Sequence, residues 1–332
     1  MSASERDQPA ARRALGRAGE SLPGGRTVGL AAGAAFWAWL VVRWAALWLG
    51  YDEPFVPSGP FEALAEGLHD DARIIDATGG PLAGAADVVA GFWFWFSDVA
   101  RFLAFSTEHL PALARGAWLT VVLTIAGILL GLVIAVPLSV ARVYGGRLTR
   151  GLALAYVELV RGTPLLAQLF VLYFGLNLSQ YFRGLTGGLL PGIAAWVAVV
   201  GFTINSAAYQ AEYIRSALES VDVGQLTAAR AVGLSRLEGI RYVVLPQGLR
   251  YAIPGWTNEL VYLIKYSSLA AFITVAELFF QADRIAGNTF RYIDMYGLVA
   301  LFYLALVLSA TAFMNRVERR VAIPGLGVDS ER

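Results

Sequence analysis

The chain of 332 residues has one lysine, Lys265. It falls in an apolar stretch, 256–281, that also holds Asn258, Glu259 and Glu277. Ionisable residues in so apolar a run face a protein interior or a wet cavity. At about 100° per residue, Asn258, Tyr262 and Lys265 share one helical face. That face could line a path for a charged ligand. Equally, Lys265 and a glutamate could form a structural pair between helices. A second polar stripe, Asn205, Tyr209, Glu212 and Ser216, recurs at i, i+4, i+7 and i+11. It fits either a path lining or a contact with another subunit. Glu158 and Arg161, three residues apart, fit a local ion pair. Pro164 follows them and predicts a bend or a helix start.

Other chemistries lack their residues. There is no cysteine, which removes disulfides, thiolate metal sites and cysteine nucleophiles. His69 and His109 are the only histidines, and neither has a partner at metal-ligand spacing, so no metal or other cofactor is expected. A net charge of +1 gives no field for nucleic acid. A phosphate-binding loop needs Gly-Lys followed by Ser or Thr, but Lys265 stands between Ile264 and Tyr266. The chain is expected to be no enzyme. If it drives transport, the energy comes from an ion gradient or from a separate ATPase.

The elements that carry these residues are membrane spans. Apolar residues make up 57% and charged residues 15%, too few charges to cover a soluble chain of this size. Stretches 116–141, 162–182, 184–211 and 295–315 hold no charge at all. Each meets the roughly 20 residues that cross a ~30 Å hydrocarbon core. An all-α polytopic protein follows, with lipid as its surroundings and spans at 28–50, 117–140, 155–181, 189–212, 256–281 and 295–315. Arg43 interrupts the first span and is expected to snorkel or to face the protein.

Arginines set the orientation. The N-terminal tail 1–27, the loop with Arg142, Arg147 and Arg150, and the end with Arg316, Arg319 and Arg320 all favour the cytoplasm. Both termini inside require an even number of spans, and six satisfies this. Residues 51–112 carry ten acids and two arginines, which places them outside. Their cluster Phe92-Trp93-Phe94-Trp95-Phe96 reads as an interfacial helix at headgroup depth rather than a seventh span. A short tail, 321–332, ends the chain.

One loop, 214–250, is cytoplasmic and well structured. Residues 225–232 are good helix formers, and Gly233 is a natural residue just beyond a helix end. Ser235 and Glu238 fit a capping box that starts a second short helix, expected to stop at Pro246. A helix–Gly–helix loop facing the cytoplasm is suited to docking, which favours a separate ATPase as the energy source.

At this loop the sequence resembles a known family. The segments GAWLTVVLTIAGILLGLVIAVPLSVAR (116–142), YVELVRGTPLLAQLFVLYFGL (156–176), AAYQAEYIRSALESVDVGQLTAARAVGLSR (207–236), YVVLPQGLRYAIPGWTNELVYLIKYSSLAAFITVAEL (242–278) and RVERR (316–320) are similar to permeases of polar amino-acid ATP-binding-cassette importers of the histidine, glutamine and glutamate type. The resemblance covers about 113–320. It implies the transmembrane domain of a type I importer, a five-helix core, here preceded by an extra transmembrane helix at 28–50. It implies a bacterial inner-membrane location. The implied partners are a cytoplasmic ATPase dimer, an external amino-acid-binding protein and a second permease subunit. Gly224, Gln225, Thr227, Ala228, Ala229, Gly233 and Leu234 would belong to the coupling helix that enters a cleft of the ATPase. On the candidate path, Asn258, Glu259, Tyr262, Lys265, Asn205, Tyr209 and Glu212, Lys265 would meet the amino acid's carboxylate, and Glu259 or Glu212 its ammonium.

Two departures stand out. Thr227-Ala228-Ala229 occupies the place where the family has Glu-Ala-Ala, so a docking charge is lost and a hydroxyl kept. This suggests one half of a heterodimer whose other half, a non-identical paralogue, makes the stronger contact. Tyr266 stands where the family has an acid after the lysine. The competing classes are an ion-coupled secondary transporter, which predicts inverted repeats that the sequence does not display, and a membrane enzyme, for which catalytic groups are scarce.

Overall fold

The computed structural model describes residues 23–77, 83–184 and 190–321. The outer parts of both tails, with Arg6, Arg12, Arg13 and Arg17, lie outside the described residues. Twelve α-helices follow one another among the described residues: α1 Pro23–Trp48, α2 Gly59–Asp76, α3 Ala83–Tyr144, α4 Arg147–Arg161, α5 Leu165–Phe170, α6 Ile193–Glu219, α7 Val223–Ala231, α8 Arg236–Gly239, α9 Leu245–Tyr251, α10 Ile253–Tyr266, α11 Leu278–Thr289 and α12 Tyr292–Val321. Four helices are long and apolar enough to cross a membrane, and six spans result if each of two bent pairs counts as one. These match the six expected stretches.

The two bent spans have local causes. Between α4 and α5 the chain turns by 100°. A residue before proline is pushed out of the helical region, so Thr163-Pro164 ends α4, and Pro164 at φ −62°, ψ 135° starts α5. The Gln168 Nε2 donates to the carbonyls of Val160 (2.7 Å) and Thr163 (3.1 Å), satisfying acceptors that the broken helix leaves open. The second break, 54°, follows α10 and its 3₁₀ extension Ser267–Ile273. Thr274 is left-handed there, at φ 65°. Glu277 then caps α11 by accepting from the amides of Phe279 and Phe280.

Three clusters of buried side chains stack along α3. Leu113 and Ala117 pack with Leu40, Leu278 and Phe302. Leu119 and Leu123 pack with Leu169, Phe202 and Leu263. Ala135 packs with Val157, Ile214 and Val244 toward the end of α3 nearest α4. At Gly116 a Cβ would stand 2.6 Å from the Cα of Leu278, so only glycine lets α3 approach α11 this closely.

Two expectations are corrected, and for Arg43 the structure takes the protein-facing alternative. First, the aromatic cluster is not a separate interfacial helix. It lies in α3, whose 62 residues run through Pro111 into the membrane-crossing stretch. The reason is a second helix. In α2, Phe61, Ala65, Leu68, Ala72 and Ile75 are at least half-buried at spacings of three and four. In α3, Ala90, Trp93, Ser97, Ala100 and Ala104 follow the same rule. This is a coiled-coil seam, and its small side chains allow close approach. The Ser97 hydroxyl donates to the Ala65 carbonyl (2.9 Å), and His69 meets Phe94 edge-on. The two helices therefore run antiparallel. Arg43 does not snorkel but faces the protein. It is 1% exposed and donates to the carbonyls of Glu53 (2.7 Å) and Asp52 (2.8 Å). Arg115 of α3 donates to the Asp52 carboxylate (2.6 Å), and the Trp44 indole to the Ala114 carbonyl (2.7 Å). These contacts fix the base of the α2–α3 hairpin to α1. Second, Pro246 does not stop the helix after α8. A π-helical turn, Ile240–Val244, precedes it and widens the ladder. Pro246 then sits in the first turn of α9, where its missing N–H costs nothing.

Candidate cavity and cytoplasmic docking loop

The break between α4 and α5 opens beside α6 and α10. There a cleft of about 380 Å³ is lined by Arg161, Thr163, Pro164, Asn205, Tyr209, Tyr262 and Tyr266, with leucines completing the wall. Three tyrosine rings form a continuous surface. Tyr209 and Tyr262 have centroids 5.7 Å apart, Tyr262 and Tyr266 3.9 Å. The Arg161 guanidinium lies 5.3 Å from the centroid of Tyr209. Asn205 is buried. It donates to Gln168 Oε1 (3.1 Å), while its own carbonyl oxygen has no partner. The cleft thus offers a cation and an aromatic wall, with the unpartnered Asn205 oxygen buried behind its surface.

Beside it lies an ionic node. Glu212 of α6 is paired with Arg142 of α3, with Arg215 (2.6 Å) and with Arg161 (3.6 Å). Arg215 also binds Glu219 (2.6 Å). Three arginines thus meet two glutamates, so the node keeps an excess positive charge. It ties together the ends of α3, α4 and α6. The Tyr156 hydroxyl, donating to the Ile204 carbonyl (2.8 Å), adds a second tie between α4 and α6.

The expected path residues separate into groups. Asn205, Tyr209 and Tyr262 meet at the cleft. Glu212 does not face a ligand there, because three arginines engage it. Glu259 is 1% exposed, packed toward Ser206, and does not line the cleft. Asn258 and Lys265 are exposed and do not line the cleft. Arg161 takes the cationic place expected of Lys265. It pairs with Glu212 rather than Glu158, because α4 packs along α6 and brings its end beside Glu212. A local i, i+3 partner concealed it in the sequence. The available signal was its position directly before Gly-Thr-Pro and a charge-free stretch.

The loop 214–250 has the expected helix–Gly–helix form. Asp222 caps α7 by accepting from the Gly224 amide (2.6 Å). At the other end the Leu234 amide donates to the Ala229 carbonyl (3.2 Å), and Gly233 to Arg230 (3.1 Å). This is a Schellman closure with Gly233 at φ 94°. The capping box is complete: Glu238 N–H donates to the Ser235 hydroxyl (3.3 Å), and Ser235 N–H to the Glu238 carboxylate (2.8 Å). The Ser235 hydroxyl and amide hold the Glu238 carboxyl below its ordinary range. Gly224, Gln225, Thr227, Ala228 and Gly233 are exposed, and Leu234 is half-buried. Ala229 is buried and touches Gly239, so it anchors the loop instead of facing outward. Val223, Val232 and Leu237 add exposed apolar surface that the sequence reading had not singled out.

A family model described as "Binding-protein-dependent transport system inner membrane component" matches residues 127–323. The chain belongs to this family. It is 40% identical over 216 residues to the probable amino-acid ABC transporter permease protein YckA of Bacillus subtilis, a match covering 65% of this chain and 91% of that protein. It is 39% identical over 214 residues to the glutamine transport system permease protein GlnP of Escherichia coli K12, covering 64% and 94%. Among solved structures it is similar to an amino acid ABC transporter with histidines, at 32% identity and a TM-score of 0.56, over 66% of this chain and 98% of that one. The MetNI methionine ABC transporter, 24% identical with a TM-score of 0.52, shares the fold. The chain is thus an all-α permease of the type I importer fold, resident in a membrane. The family match begins within α3, beyond the part of that helix that packs on α2.

Proposed function

We propose that this chain is the permease subunit of an ATP-binding-cassette importer that moves a polar amino acid across the bacterial inner membrane. Both termini face the cytoplasm in this reading, and α7 with its flanking turns docks on a separate ATPase dimer. The observation that carries the substrate class is the cleft. Arg161 suits a carboxylate as a hydrogen-bonding cation. The tyrosine faces suit an ammonium. An amino acid presents both groups within one small molecule. Relatives named for amino acids and glutamine support the same class.

A second permease subunit is also part of this reading. Lys265 is exposed inside a bent span and forms no ion pair with an acid among the described residues. A lysine at membrane depth needs a counter-charge or water, and a neighbouring subunit supplies the setting. Thr227 in place of an acid favours a non-identical paralogue as that subunit. Purification of the complex tests this: two copies of this chain with no second permease would reject the heterodimer. For the whole proposal, the reconstituted transporter is expected to show ATPase activity stimulated by an amino-acid-loaded binding protein. Uptake driven by a proton or sodium gradient without ATP would reject it.

A further inference from the structure

The α2–α3 hairpin precedes the matched permease domain, and the cleft does not use it. It carries a second apolar face. The seam toward α2 uses one side of α3. On another side Val88, Phe92, Trp95, Phe96 and Leu103 are 40–62% exposed. At 1.5 Å per residue, Trp95 stands about 30 Å beyond Ala117, where the membrane-crossing stretch begins. The headgroup layer adds only about 5–8 Å on each side of the hydrocarbon core. With the span beginning at Ala117, as the charge-free stretch 116–141 places it, and α3 continuing through Pro111 as one helix, the stripe stands clear of the headgroups, where an exposed aromatic face marks an interaction site. Asp87 and Asp98 are exposed beside it, giving an aromatic centre with an acidic rim.

We infer that the α2–α3 hairpin is a docking arm for the external amino-acid-binding protein. This rests on the proposed importer function. Three observations favour that occupant. Residues 51–112 hold ten acids and two arginines, which repels a second copy of the arm and an anionic lipid surface alike, and attracts a protein with a basic face. The arm from Ala112 to Ala83 is about 45 Å long at 1.5 Å per residue. A domain of 200–250 residues is about 45 Å across, so the arm can flank such a protein along its full height. Its base is locked: Arg43 and Arg115 both hold Asp52 where α1 and α3 meet. Contact at the tip is thereby held in register with the permease core.

The test uses the full transporter in lipid nanodiscs, with the binding protein whose amino-acid load stimulates its ATPase activity. A photo-reactive phenylalanine analogue replaces Trp95. Cross-linking to the binding protein is expected, and a cross-link only to another permease chain or only to lipid overturns the inference. In parallel, the surface variant Phe92→Ser/Trp95→Ser/Phe96→Ser should weaken binding-protein affinity at least tenfold. Glu62→Lys/Glu66→Lys/Asp70→Lys should weaken it severalfold and flatten its salt dependence. Basal ATPase activity should stay unchanged in both. Unchanged affinity in both variants, with normal stimulation of the unaltered complex, overturns the arm alone. Failure of the unaltered complex to be stimulated overturns the importer reading instead.

Discussion

Between Asp222 and Glu238 the chain satisfies its helix ends with neighbours at most five residues away. Around the cleft, by contrast, Arg161, Asn205 and Tyr262 come from three segments and meet only when α4, α6 and α10 pack. The docking loop is locally encoded and exposed, and the cleft is globally encoded and half-enclosed. A local fault should therefore loosen the loop without disturbing the cleft, and a cleft substitution should leave docking intact.

The largest separation is expected from Arg161→Met. A hydrogen bond to a charged group contributes about 1.5–3 kcal/mol, so amino-acid uptake should fall about 10–100-fold. Copurification with the ATPase should be unchanged, and its loss would break the distinction. Next comes Gly233→Val. A side chain in the left-handed conformation costs about 1–2 kcal/mol, more for a branched one. Copurified ATPase should fall, while amino-acid binding to the permease, followed by tyrosine fluorescence, should persist. Ser235→Ala removes a helix cap worth about 1 kcal/mol. Faster hydrogen exchange at residues 235–239 should report it, with α4 and α5 unaffected. The smallest effect is a pH dependence. Glu238 has a folded pKa below its unfolded value, so its contribution is present above the unfolded carboxylate range and is lost as pH falls through the folded value. Exchange protection in this loop, taken relative to intrinsic rates, should fall in acid, and Glu238→Gln should remove that dependence.

The same division explains what could be read in advance. Gly233 and the Ser235/Glu238 pair were legible because a cap joins residues three apart. The six apolar stretches were legible because span length is set by bilayer thickness. The exchange of Lys265 for Arg161 was not legible, because helical periodicity places a residue on a face without saying which helix that face meets. Nor was the hairpin. The aromatic run looked interfacial on its own, and only the heptad match between α2 and α3 shows it as part of a helical hairpin.

What the sequence determined by itself was local: the helices, their caps, the glycine stop, the number of spans and the orientation implied by arginine. Each rests on contacts within a turn or two, or on the bulk properties of a bilayer. The tertiary structure decided which polar side chains meet, that Glu212 is spent on three arginines, that Asn205 keeps an unpartnered oxygen, and that α3 carries an exposed apolar face beside its seam with α2. Those outcomes depend on packing between segments far apart in the chain, where α4 lying against α6 brings Arg161 to Glu212 rather than to its sequence neighbour Glu158.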